Sequence, residues 1–369
     1  MGCGEVGENI ALVVAPLALP PPVTGQTLIN ASVARRLMQG PGIVRLINIS
    51  PMSHFRTMAY HLRRITAVLA LPFVLAANAC HERRSLYAVV EPGHGMIYNF
   101  LIVSVARIFG YKIVLHHHAS SYAKIREARF ACLCSVAGRG ATHVALCEEM
   151  AQDLKARYRS CRQVIVVHNA CHIPDPGVIE LTGQQREFTI GFLSNLSLEK
   201  GLDTVLQSYG AIRTQGVNAR LLLAGPIMDA GAKHLISAAQ QKYGSSLVEL
   251  GPVSGATKKA FFESLDVFLF PSRYRIEAQP LVVLEALSYG VPALVTRQGY
   301  SAEIVDSLGT ACDAPTFVKF AAAFVLEWMR DGHFAVAQRA AARARFLELM
   351  VLSRNQTSQL LALLKGTAA

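Results

Sequence analysis

Three absences narrow this sequence before any of its motifs is considered. Its eight cysteines (Cys3, Cys80, Cys132, Cys134, Cys147, Cys161, Cys171 and Cys312) form no Cys-x-x-Cys pair. Cys132 and Cys134 stand too isolated to read as a zinc site, so the set reads as small buried hydrophobes in a reducing compartment. No G-x-G-x-x-G follows the first apolar run, which removes the main support for a dinucleotide-binding dehydrogenase. No apolar run is long enough to span a bilayer. The best candidate, Ile65 to Cys80, is interrupted by Pro72 and Asn78 and reads as a core helix with basic flanks. Charge is sparse too, at 17% of residues against 52% hydrophobic, a balance that excludes disorder.

What charge there is leans basic. A net charge of +11 and a pI near 9.4 point to an anionic partner. Nucleic acid would need a basic cluster within a recognisable binding module, and none is present. Nucleotide-sugar phosphates and an acidic membrane surface remain. Arg56, Arg63, Arg64, Arg83 and Arg84 would grip acidic lipid in the second case. The opening residues carry Glu5 and Glu8 but no Lys or Arg, unlike a secretory leader, and MGCGEV lacks the Ser or Thr of a myristoylation site. The expected location is cytoplasmic, at most at the inner face of the membrane.

At 369 residues the chain is long enough for two domains. Apolar runs alternate with helical patterns throughout, the signature of a parallel α/β sheet. Strands are expected at Ile10–Ala15, Ile43–Ile49, Ala88–Glu91, Tyr111–His118, Ala141–Cys147 and Val164–Val167. The Pro- and Gly-rich run from Ile173 to Glu187 is the linker candidate. The pattern resumes at Phe188–Leu193, Leu221–Ala224, Leu247–Leu250, the run DVFLFP and ALVT. It closes on a long helical pattern from Ala335 to Lys365. The division expected is residues 1–177, residues 186–340, and a last helix over 341–369 that packs back on the first domain.

One stretch concentrates the chemistry: PSRYRIEAQPLVVLEALSYGVP, Pro271 to Pro292. A strand ends at Pro271 and Ser272, and a helix of about three turns starts at Pro280 and stops at Gly290 and Pro292. The unpaired amides of Leu281 and Val282 would form an anion site at its start. Glu277 lies in the loop and Glu285 one turn into the helix, so both could border one ligand there. Carboxylates accept hydrogen bonds from the paired hydroxyls of a sugar, and an anionic group would rest on the amides. Each Glu alone could equally serve the helix dipole.

Other candidates lie at strand ends. Gly25 follows the first strand, and is either a close approach to phosphate or a plain turn glycine. Lys200, with Gly201, opens a helix where an ammonium would neutralise a diphosphate, or is a solvated lysine. Alternation puts His116 and His118 on one face of their strand and His117 on the other. Two same-face histidines without a nearby carboxylate are poor grounds for a metal.

Glu277 and Glu285, spaced E-x7-E between a Pro-Ser turn and a Gly-Val-Pro exit, resemble the donor-site signature of the family 4 glycosyltransferases. RQGYSAEIV resembles that family's glycine-plus-Glu-Ile-Val exit, and His118-Ala119 stands where it has His-Gly. The resemblance implies a GT-B fold, two Rossmann-like lobes with parallel sheets facing a cleft. It implies a retaining transfer of sugar from a nucleotide diphosphate to a hydroxyl of a glycan or lipid-linked acceptor, without a metal or other cofactor. In that reading Glu277 holds the sugar hydroxyls, Glu285 the ribose, Lys200 the diphosphate, and His118 the sugar from the other lobe. Gly25, Asn195, Leu281 and Val282 complete the donor site. Ser194-Asn195 replaces the family's Gly-Arg, which removes a positive charge or moves its task to Arg273 or Arg275. Backbone around Val253 and Ser254 would lie over the base. A non-catalytic sugar-nucleotide binder, and a phosphorylase or epimerase on the same fold, remain as alternatives.

Overall fold

The computed structural model describes residues 9–17, 25–50, 58–178 and 187–367. The chain divides into two compact units. One runs to His172 and takes in the residues from Val351 onward; the other is Ile173–Met350. Cys3, Glu5, Glu8, Arg56, the side chains of Arg63 and Arg64, and the middle of the expected linker lie outside the described residues.

The first unit alternates β1 (Ile10–Ala15), α1 (Gly25–Met38), β2 (Ile43–Asn48), α2 (Met58–Ala77), β3 (Arg84–Val90), α3 (Met96–Ile108), β4 (Lys112–His117), α4 (Ser121–Lys124), α5 (Ala128–Ala137), β5 (Thr142–Ala145), α6 (Glu148–Arg157) and β6 (Gln163–Val166). Its sheet is parallel, ordered β2-β1-β3-β4-β5-β6. The central strands are apolar on both faces because helices cover both, so β1 is buried at every residue. β2, at the edge, is not. β3 starts four residues earlier than the expected Ala88, because Arg84 pairs in register with Ile10.

The second unit repeats the plan with β7 (Phe188–Leu193), α7 (Leu202–Thr214), β8 (Ala219–Ala224), α8 (Ala230–Tyr243), β9 (Leu247–Gly251), α9 (Gly255–Glu263), β10 (Val267–Phe270), α10 (Leu281–Ser288), β11 (Ala293–Thr296), α11 (Ser301–Val305), β12 (Ala311–Cys312), α12 (Phe317–Arg330) and α13 (Gly332–Lys365). The sheet is parallel in the order β12-β11-β10-β7-β8-β9. Residues of α13 up to Met350 belong to this unit and the remainder to the first. Within the first unit Ser353 Oγ donates to the His168 carbonyl and accepts the Cys171 amide, while Gln356 accepts the His168 amide.

Two expectations need correction here. α2 continues through Pro72 and leaves Leu69 and Phe73 exposed, so it is not a wholly buried core helix. Among the described residues no helix is long and apolar enough to cross a membrane. The cysteines also divide: Cys134, Cys147, Cys161 and Cys171 are buried, but Cys80 and Cys132 are exposed.

Candidate functional site

In the second sheet the strand order reverses between β10 and β7. Ligands of open α/β sheets bind where the loops leave such a pair of strands at their carboxyl ends. The loop after β7 carries Lys200 and the loop after β10 carries Glu277. The two meet: Lys200 Nζ lies 2.5 Å from Glu277 Oε2, and both side chains are largely shielded. Ser272 Oγ donates to the same carboxylate oxygen at 3.3 Å. The ammonium also lies over the Tyr274 ring, 4.2 Å from its centroid, a cation–π contact.

The two loops are locked in place by their neighbours. Gly201 adopts φ +85°, and a Cβ there would stand 2.1 Å from the Pro271 carbonyl oxygen, so only glycine lets the loops approach. Arg273 grips the other side through Asp203 at 2.7 Å and the Leu198 carbonyl at 2.6 Å. From β11 and the segment after it, Thr296 Oγ1 donates to the Ser272 carbonyl, Gln298 to that of Tyr274, and the Tyr300 amide to that of Ala278.

α10 is shorter than expected, eight residues rather than about three turns. Pro280 sits just outside it with ψ 120°, and Leu281 is the first helical residue. The amides of Leu281 and Val282 occupy the helix start, where an α-helix offers no internal acceptor. Gly290 takes φ +64° and ends the helix as expected. Glu285 projects from α10 and pairs with Lys258 of α9 at 2.6 Å. Its other oxygen is buried without a hydrogen-bond partner among the described residues. Burial pushes its pKa up, against the pull of Lys258.

The candidate residues thus fall into groups. Lys200, Glu277, Leu281, Val282, Glu285 and Asn195 belong to the second unit, with Asn195 exposed. Gly25 and His118 belong to the first. Gly25 is the exposed first residue of α1. His118 follows β4 and its ring lies 4.1 Å from that of His116, tilted by 44°, as expected for a shared face. Its Nε2 is buried with no partner among the described residues. Burial, reinforced by His172, pushes its pKa down to about 3.

Arg273, one of the two arginines considered for the missing charge, is engaged by Asp203 and the Leu198 carbonyl. The Ser254 amide is not free to read a base edge, because Thr257 Oγ1 accepts it in a capping box. Sequence reasoning missed Lys258 and Tyr274, neither of which belongs to a spaced motif, and read Ser272 only as a turn residue. In the first sheet the strand order reverses between β1 and β3.

Residues 180–345 match the model of the family described as glycosyl transferases group 1. A glycogen synthase of Rhodopseudomonas palustris is 31% identical over 151 residues, 40% of this chain. The chain spans only 28% of that relative's length. Among solved structures, Alr3699/HepE of Anabaena in complex with UDP superimposes with a TM-score of 0.65 at 15% identity, over 95% of this chain and 99% of that one. WaaG, a glycosyltransferase involved in lipopolysaccharide biosynthesis, gives 0.64 at 13% identity, over 97% and 100%. The fold implied by the sequence, two Rossmann-like units of the GT-B type, is borne out.

Proposed function

We propose that this chain is a retaining glycosyltransferase of family 4 that moves a sugar, a hexose or a close relative, from a nucleoside diphosphate to a hydroxyl of a glycan or lipid-linked acceptor. The observation that carries the reading is the Lys200–Glu277 pair over the reversal point between β7 and β10. An ammonium and a carboxylate at a phosphate-ready strand end suit a diphosphate joined to a polyhydroxylated ring. The match of residues 180–345 to group 1 glycosyl transferases, and the UDP bound by the Anabaena neighbour, support the same donor class.

In this reading the diphosphate displaces Glu277 from the ammonium. Lys200 and the amides of Leu281 and Val282 then carry the charge that grows on the leaving group, the preorganised assistance that usually dominates catalysis. Glu277, released, accepts the sugar hydroxyls, and Glu285 the ribose hydroxyls. Asn195 can hydrogen-bond a phosphate but not neutralise it. The reading takes the transfer to proceed without a metal, as the resemblance implies. Gly25 and His118 are assigned by the resemblance alone.

Donor hydrolysis tests the reading. Wild type should release free nucleoside diphosphate from one sugar nucleotide, and Glu277→Ala should lose that turnover by roughly 10²-fold or more. Binding of every sugar nucleotide without release, or conversion of the donor sugar with no release, would overturn it. The His118→Ala and Gly25→Val variants test the remaining assignments through KM for the donor.

A lipid-linked acceptor is favoured by apolar exposure on the first unit. Leu69 and Phe73 on α2 are exposed, and so are Ile97, Leu101 and Ile108 on α3, a helix that packs against it. This surface, more than the arginines, supports peripheral contact with an acidic membrane. Arg84 is engaged with the carbonyls of Phe109, Ala79 and His81. Flotation with anionic vesicles should carry the wild type, and Leu69→Ser/Phe73→Ser should stay behind. Equal behaviour of the two proteins removes the membrane from the proposal.

A further inference from the structure

The first unit contains a second chemical cluster that the proposed reaction does not use. α5 supplies Cys134, β5 supplies His143, and the turn before β6 supplies Cys161. All three are buried, and their ligand atoms lie within 4.8 Å of one another. The two sulfurs are 3.4 Å apart, and Cys161 Sγ is 3.8 Å from His143 Nδ1. A tetrahedral ion bound at about 2.3 Å to sulfur and about 2.1 Å to nitrogen holds its ligands roughly 3.5–3.8 Å apart. The observed separations are close to those edges.

The nitrogen beside Cys161 is His143 Nδ1, which also lies 3.0 Å from His117 Nε2, with Tyr122 Oη 3.1 Å from His117 Nδ1. An ion bound at Nδ1 takes the lone pair of that nitrogen, so binding replaces the His117 contact.

We propose that Cys134, His143 and Cys161 bind a thiophilic d10 cation of the zinc class as a structural clamp joining α5, β5 and the turn before β6. Two thiolates and an imidazole select such an ion over magnesium or calcium. Both thiol protons pass to solvent as the two metal–sulfur bonds form, and no electron is transferred. The fourth position falls to water or backbone. The clamp is separate from Lys200 and Glu277, so it stands or falls independently of the glycosyltransferase reading.

Full-length reduced protein, stripped with a chelator, is titrated with cobalt(II) and then with zinc(II). The expected result is one equivalent of cobalt with a thiolate-to-metal charge-transfer band, displaced by zinc. Cys134→Ser and Cys161→Ser each lose the band, while Cys132→Ser, whose thiol is exposed, keeps it. Zinc should also raise the melting temperature of the wild type, a measurement that needs no variant to fold. A folded, reduced wild type that takes up neither ion overturns the proposal. So does a band that survives both serine variants. Thiol titration showing two sulfurs recovered only after reductant would assign the pair to a disulfide instead, and overturns it equally.

Discussion

Glu285 is a carboxylate whose charge is costly where it sits. One oxygen meets Lys258 and the other has no hydrogen-bond partner among the described residues, so burial outweighs the ammonium and raises its pKa. A raised carboxylate pKa means that the folded chain holds its proton longer than the unfolded one. Its stabilising influence is present at acid pH and is lost as pH rises through the folded value. Glu285→Gln should therefore melt at or above the wild-type temperature at pH 7 while binding the nucleotide sugar more weakly. A calorimetric scan paired with a binding titration checks both halves. Lys200→Ala is the opposite case: it leaves Glu277 shielded with Ser272 as its remaining partner. It should lower both stability and turnover, the latter by about 10²-fold or more. Restoration of turnover by Lys200→Arg would point to charge more than shape.

At the scale of elements, the loops after β7 and β10 act as one piece. Gly201→Ala places a methyl 2.1 Å from a backbone oxygen at φ +85°. The left-handed conformation alone costs roughly 1–2 kcal/mol, and relieving the clash would push the two loops apart. The expected outcome is a lower unfolding midpoint together with a raised KM for the donor. In the first unit Ser353 satisfies both the His168 carbonyl and the Cys171 amide. Ser353→Ala strands these buried groups and should lower stability by about 1–3 kcal/mol in urea titration.

For the whole molecule, pH acts through the buried histidines of the first unit. Burial lowers His116 well below its ordinary value, His118 to about 3 and His172 to about 4. The unfolded chain protonates these rings below about pH 6.5 while the folded unit refuses the proton. Their contribution is full above that pH and is lost as pH falls toward the lowered values. The unfolding free energy should drop as pH falls from 6.5 to 5, by up to roughly 1.4 kcal/mol per histidine per pH unit. His118→Asn should flatten the slope.

Much of this architecture is local and therefore legible. β1 and β7 begin and end where their apolar runs do, and Gly290 ends α10 because its left-handed turn is written in a single residue. Lys200, Glu277 and Glu285 were visible as strand-end and helix-start residues. α10 proved shorter, and Pro280 lay outside it, because proline fixes φ but leaves ψ free to stay extended. Arg273 could not be assigned from sequence, since its partner Asp203 lies 70 positions away.

The alternation of strand and helix, the parallel α/β class and the strand ends at which polar residues gather are written in the order of residues alone. That β7 and β10 are neighbours, and so that Lys200 and Glu277 meet across 77 positions, emerges only on folding. Folding alone joined Glu285 to Lys258 and drew Cys134, His143 and Cys161 together. Periodicity records which face of an element is buried. In a parallel sheet each strand reaches its neighbour through a crossover, and the order of those crossovers is set by packing the helices on both faces.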